Sequence, residues 1–61
     1  MNKEILTSLT RIALYRERLQ DDVVKGDPMQ GMADAAELST IAKLLWSQFQ
    51  KEAALLGDGT Q

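Results

Sequence analysis

The chain has 61 residues, with seven basic and nine acidic side chains and no Cys or His. This length lies near the lower limit for a domain that folds alone, and the composition excludes disulfides, thiolate metal sites and histidine chemistry, so oligomerisation or partner binding is the expected source of extra stability. A net charge of −2 excludes the strongly basic balance that is typical of nucleic-acid-binding domains.

A first amphipathic helix is predicted over residues 3–25. Its apolar residues recur at intervals of 4, 3, 7 and 4, which is the spacing of residues on one face of a helix. Asn2 is the predicted N-cap, and Lys25-Gly26 is the predicted C-terminal stop. The stripe expected to face the core consists of Ile5, Leu9, Ile12, Leu19 and Val23.

A connector is predicted over residues 26–33, where Gly and Pro interrupt the pattern. Two helix starts are available. Asp27 can cap a helix that begins at Pro28, and Asp34-Ala35-Ala36-Glu37 forms a capping box. We expect an irregular or short helical turn at the first start, then a firm helix over residues 34–56 and a polar tail over residues 57–61.

The second helix repeats the pattern of the first, with intervals of 4, 3, 4 and 7 along its apolar stripe. Equal lengths and a short connection favour antiparallel packing of the two helices. Trp46 lies at the edge of this stripe and is interpreted either as core or as an interface anchor, since Trp is enriched at binding hot spots. The stripe consists of Leu38, Ala42, Leu45, Phe49 and Leu56.

Arg16 occupies a position of the first stripe where an apolar residue is expected. One interpretation is a buried arginine that pairs with a carboxylate and fixes the register of an assembly, since an unpaired buried charge is costly. The other interpretation is a long stem that covers apolar surface while the guanidinium reaches water. Arg16 and the two stripes are the residues expected to form the core and the dimer contact.

Residues that lie off both stripes are candidates for binding a partner. On the first helix, one outer face carries Thr7, Arg11, Leu14, Arg18 and Lys25, with Tyr15 at its edge. This basic strip with an apolar centre suits an acidic protein or a phosphate backbone, or is a solvated helix face. On the second helix, Leu44 and Leu55 share a side, which indicates either a second contact surface or a wide core stripe.

Catalysis is not expected from these residues. Asp21 and Asp22 are neighbours, and adjacent helical residues point about 100° apart, so the two cannot share a site through one helix. The three serines have no neighbouring base to activate a hydroxyl, and Gly26 to Gly31 lacks the ending of a phosphate-binding loop. No cofactor or metal is therefore predicted.

The predicted fold is all-α: a two-helix antiparallel hairpin that dimerises into a four-helix bundle. In length, two-helix layout and the Gly57-Asp58-Gly59 tail, the architecture is similar to the Rop family of plasmid copy-number proteins. That resemblance implies a homodimer whose first helix binds RNA. The residues themselves favour a small non-enzymatic regulator or adaptor of phage or plasmid type, which binds a second copy and another protein.

A structural subunit of a larger assembly is the third alternative for the function of this chain.

The apolar runs are far shorter than the roughly 20 residues needed to cross a bilayer, and no export signal is recognised. A cytoplasmic location and no membrane contact are therefore expected.

Overall fold

The computed structural model describes the backbone of residues 3–60 and the side chains of residues 3–57. Helix α1 comprises Lys3–Lys25, helix α2 comprises Pro28–Thr60, and no strand occurs in this range. The helices run antiparallel, since Ser8 early in α1 contacts Gln48 late in α2. The all-α hairpin is confirmed, whereas the predicted cap Asn2 and the last tail residue Gln61 lie outside the described residues.

A Schellman motif ends α1. Gly26 has a φ of 67°, in the left-handed region that glycine adopts without a Cβ clash. Its amide donates to the Val23 carbonyl oxygen at 3.1 Å, and the Asp27 amide donates to the Asp22 carbonyl oxygen at 2.9 Å. The predicted stop at Lys25-Gly26 is confirmed, and two carbonyl groups of the last turn gain partners.

Helix α2 begins at Pro28, which corrects the predicted connector over residues 26–33 and the predicted helix start at residue 34. Asp27 Oδ1 accepts the Gln30 amide at 3.0 Å, and Pro28 takes the first helical position, where no amide donor is needed. The Gly31 amide donates to the Asp27 carbonyl oxygen at 3.0 Å, so the glycine stays in the helix. The connector is only Gly26-Asp27, because the Schellman motif leads directly into the cap.

The backbone of α2 also continues past the predicted end at residue 56 and is helical through Thr60. A glycine inside a helix costs only about 1 kcal/mol, and no proline follows Gly57 to end the helix. The contact between Ser8 and Gln48 places Lys3 level with about residue 53. The last turns of α2 therefore extend beyond the described part of α1.

The contact between the helices follows a heptad pattern. Residues that face the partner helix recur at alternating intervals of 3 and 4, as in antiparallel coiled coils. We name this contact the seam and its two positions a and d. In α1 the a residues are Ile5, Ile12 and Leu19, and the d residues are Ser8, Tyr15 and Asp22; in α2 the a residues are Gly31, Leu38, Leu45 and Glu52, and the d residues are Asp34, Ile41 and Gln48.

Part of the predicted core lies outside this seam. Leu9, Arg16 and Phe49 are exposed, because they occupy the e position beside the seam. Val23, Ala42 and Leu56 are exposed at e positions as well. The predicted stripes follow apolar residues only, whereas the seam includes the polar residues Ser8 and Asp22. Each predicted stripe is therefore rotated about its helix axis by about one heptad position relative to the seam. The predicted core residues that do lie in the seam are Ile5, Ile12, Leu19, Leu38 and Leu45.

The hairpin is a single layer of two helices, and its Cα trace extends over 52 × 16 × 12 Å. Domains are normally built from at least two packed layers, because one layer leaves apolar surface open to water. Ile5 and Ile41 are the fully buried large side chains among the described residues. The core of one hairpin is therefore narrow.

Candidate protein-binding surfaces

One side of the hairpin is mostly apolar. In an antiparallel pair of helices, the e positions of both helices lie on one side of the seam, and the g positions lie on the other. The b positions lie next to e, so the two together form a broad, fully exposed side. We name it the apolar face; its members are Leu6, Leu9, Ala13, Arg16, Gln20 and Val23 in α1, and Met32, Ala35, Ser39, Ala42, Trp46, Phe49, Ala53 and Leu56 in α2.

The apolar face is continuous with the seam. Four a residues that border the e positions are only half-buried, namely Ile12, Leu19, Leu38 and Leu45. On the d side every seam residue except Tyr15 is buried. The seam is thus closed on its d side and open on its a side, and apolar surface runs from the core to solvent, interrupted at the e positions only by Arg16.

Bulky side chains lie at both ends of the apolar face. Trp46 is 66% exposed at the open end of the hairpin, and Val23 is 80% exposed at the closed end. Small side chains predominate between them, and Arg16 is the single charged member of the face. Contiguous exposed apolar surface of this kind is typical of interaction sites rather than of solvated helix faces.

The opposite side of the hairpin, where the g positions lie, carries charges of both signs. We name it the charged face; Arg11, Leu14, Arg18 and Leu44 lie on it. Arg11 and Leu44 line one groove of this face, and Arg18 lines a second groove nearer the turn. In the second groove, Lys25 Nζ donates to Asp21 Oδ2 at 2.8 Å. This hydrogen bond raises the pKa of Lys25 above its usual value, so the ammonium stays charged but is partly neutralised by its neighbour.

Tyr15 lies at a d position of the seam and is only half-exposed. The Arg18 guanidinium lies over its ring, with Cζ at 4.9 Å from the ring centroid, which is a cation–π contact. One face of the ring is therefore occupied within the hairpin. Tyr15 therefore belongs to the seam, whereas the sequence predicts a place at the edge of the outer basic strip.

The structure divides the predicted partner-binding residues between different surfaces. Arg11, Leu14, Arg18 and Leu44 are exposed on the charged face. Trp46 lies on the apolar face, and Leu55 is exposed in the last turns of α2, past the start of α1. Binding of a partner by these residues stays a prediction.

Two polar contacts cross the seam at d positions, and the apolar stripes predict neither of them. Ser8 Oγ donates to Gln48 Oε1 at 2.9 Å, and both side chains are buried. Two heptads further along α1, Asp22 meets Asp34 of α2 near the turn. The available signal was a heptad repeat that counts polar residues together with apolar ones.

Asp22 and Asp34 bring two carboxyl groups together inside the seam, where they are 8% and 4% exposed. Gln30 Nε2 donates to Asp34 Oδ1 at 3.2 Å, whereas the buried Oδ2 of Asp22 has no hydrogen-bond partner. Protonated Asp22 could donate a hydrogen bond to the Asp34 carboxyl; this effect, together with burial and repulsion by neighbouring aspartates, raises the pKa of Asp22 to about 6.

Within the described residues, neither helix has a stretch long and apolar enough to span a membrane. The same residues contain no cluster of three or more acidic side chains arranged to hold a metal ion. Comparison with protein-family models, with curated proteins and with solved structures finds no match to this chain.

Proposed function

We propose that this chain is a small non-enzymatic regulatory or adaptor protein. Two copies pair through their apolar faces into a four-helix bundle, and the charged face of the dimer binds another protein. The observation that carries this proposal is the apolar face, which is open along the hairpin and continuous with its core. Such a face needs a protein surface to cover it.

A second copy of the chain fits this requirement. In a four-helix bundle each helix packs against two neighbours, which buries both the a residues and the adjoining e residues. Two identical hairpins bring together apolar faces of equal length, so no apolar segment of the paired region is left uncovered. Symmetric pairing of this kind is the commonest form of oligomer among soluble proteins.

The small core of one hairpin supports the same conclusion. Two fully buried large side chains, Ile5 and Ile41, are few for a domain of this length. Burial of a large apolar side chain contributes about 1.5–3 kcal/mol relative to exposure. Covering Trp46, Phe49 and Leu9 would therefore stabilise both the hairpin and the dimer.

The charged face remains on the outside of such a bundle and favours a protein partner over RNA. Phosphate binding needs basic groups that are not opposed by acids. On this face Lys25 is paired with Asp21, and Glu4 lines the same groove as Arg11. Leu14 and Leu44 add apolar contact area to this mixed-charge surface, which is a common composition for a protein interface.

Two leucines of α1 provide a matched test. Leu9 is 45% exposed on the apolar face, and Leu14 is 48% exposed on the charged face. We expect Leu9→Asp to convert the dimer into monomer, because the variant places a carboxylate in the bundle interior. Leu14→Asp should remain dimeric and helical but should lose contacts with the partner in the host cell. Sedimentation equilibrium, circular dichroism and cross-linking measure these outcomes.

Other outcomes separate the alternatives. A folded monomer at all concentrations, or an unchanged dimer in Leu9→Asp, contradicts pairing through the apolar face. Retention of RNA with an affinity that falls steeply with salt supports the Rop-like alternative. A wild-type chain that is unfolded alone indicates a structural subunit with an obligate partner.

A further inference from the structure

The closed end of the hairpin contains a pair of carboxyl groups that the surfaces described above do not use. Asp22 of α1 and Asp34 of α2 occupy facing d positions of the seam, and more than nine-tenths of each residue is buried. In the described part of the chain neither has an ion pair, since the neighbouring ammonium of Lys25 is bonded to Asp21. Two ionised carboxylates in this position would repel each other without compensation.

One buried oxygen atom of the pair has no hydrogen-bond partner. Asp34 Oδ1 already accepts a hydrogen bond from Gln30, whereas Asp22 Oδ2 is buried without any partner. A buried polar atom without a partner is unfavourable, and a protonated carboxyl group is a donor as well as an acceptor. One proton between the two carboxyl groups would satisfy Asp22 Oδ2 and remove the repulsion.

We propose that Asp22 and Asp34 share one proton across the seam, and that loss of this proton loosens the closed end of the hairpin. The pair then makes the stability of the hairpin sensitive to pH in the weakly acidic range. This proposal concerns the seam of one hairpin, so it holds whether or not two copies pair.

The charged groups around the pair do not replace the proton. Lys25 is engaged by Asp21, the Arg18 guanidinium lies over Tyr15, and Asp27 adds negative charge. From α2, the neutral amide of Gln30 faces the pair. The groups that line the groove beside Asp22 and Asp34 are Arg18, Asp21, Lys25, Asp27 and Gln30.

The direction of the pH effect follows from the pKa of Asp22, which is raised from 3.8 to about 6 in the folded chain. The folded chain holds this proton more tightly than the unfolded chain does. The stabilisation is therefore complete below a pH of about 4 and is lost as the pH rises through about 6. This direction is opposite to that of carboxylates whose ionised form is stabilised by folding.

Carbon-detected NMR titration of the aspartate side chains in the intact chain measures the proton directly. The carboxyl carbon of Asp22 should titrate with a midpoint near pH 6, where the shared proton is lost. If the carboxyl carbon of Asp22 titrates at or below a pH of about 4, the proposal is overturned.

Asp22→Asn provides a second test, because the amide donates to Asp34 at every pH. At equal protein concentration, this variant should have a higher midpoint temperature than wild type at pH 7.5, and the difference should vanish near pH 4. Glu17→Gln is the control: its side chain is exposed on α1 outside the groove, so Lys25 stays bonded to Asp21 and the wild-type loss of stability above pH 6 should persist. Parallel pH profiles for wild type and Asp22→Asn contradict the proposal, and the NMR titration decides if the variant does not fold.

Discussion

Single residues set the pairing of the two helices. Ser8 and Gln48 are the buried polar pair near the open end, joined by a hydrogen bond of 2.9 Å. A shift of one heptad would place Ser8 beside Ile41 and leave both polar groups without partners. Because a buried polar group without a partner costs about 1–3 kcal/mol, the pair disfavours other registers.

Ser8→Ala tests this role. The variant leaves the Gln48 amide buried without its partner, so we expect a loss of about 1–3 kcal/mol in the free energy of unfolding, measured by urea denaturation. The double variant Ser8→Ala, Gln48→Leu should recover most of this loss, because both polar groups are then removed. Thr7→Ala is a control on the exposed side. A loss in Ser8→Ala no larger than in Thr7→Ala contradicts the role of Ser8.

If Arg16 fixed the register of a single hairpin, its side chain would have to be buried in the seam. It is exposed in the hairpin. A long stem on apolar surface with the charge in water therefore describes Arg16 in one hairpin. A pairing role for Arg16 requires the second copy and remains part of the dimer proposal.

At the scale of elements, the turn determines how the helices meet. The Schellman motif at Gly26 is followed at once by the Asp27 cap, so α1 and α2 are joined by two residues. The sequence offers a second helix start at Asp34, but the chain uses the first. Asp34 is thereby freed from capping and lies in the seam opposite Asp22.

Two glycines should respond in opposite ways to alanine. Gly26→Ala should destabilise the hairpin by about 1–2 kcal/mol, because a Cβ at φ 67° is strained. Gly31→Ala should stabilise it by up to about 1 kcal/mol, since Gly31 is helical and an added Cβ would meet Asp22 Cβ at 3.9 Å, an ordinary contact. Thermal and urea unfolding measure both changes, and equal effects at the two sites would contradict the described turn.

At the scale of the whole molecule, the hairpin is one layer with a narrow core and an open apolar face. If dimerisation closes that face, folding and association are coupled. The midpoint temperature of unfolding should then rise with protein concentration. Circular dichroism over a hundredfold concentration range checks this, with Leu9→Asp as the concentration-independent control. A constant midpoint for wild type contradicts coupled folding.

The amount that could be predicted differs between local and long-range features. The two helices, the stop at Gly26 and the cap at Asp27 depend on neighbouring residues, and each has a recognisable pattern. The position of the seam was predicted about one residue out of place. An apolar pattern finds the widest apolar surface, and here that surface includes the e positions as well as the a positions.

The sequence by itself determined an all-helical hairpin, because helix periodicity, capping and the left-handed glycine are local properties of the backbone. Only the tertiary structure decided which face of each helix is inside. That choice depends on Ser8 with Gln48, a pair that exists only when the helices are packed together. A polar residue counts as exposed in a single-helix pattern, but a partner across the seam makes its burial favourable.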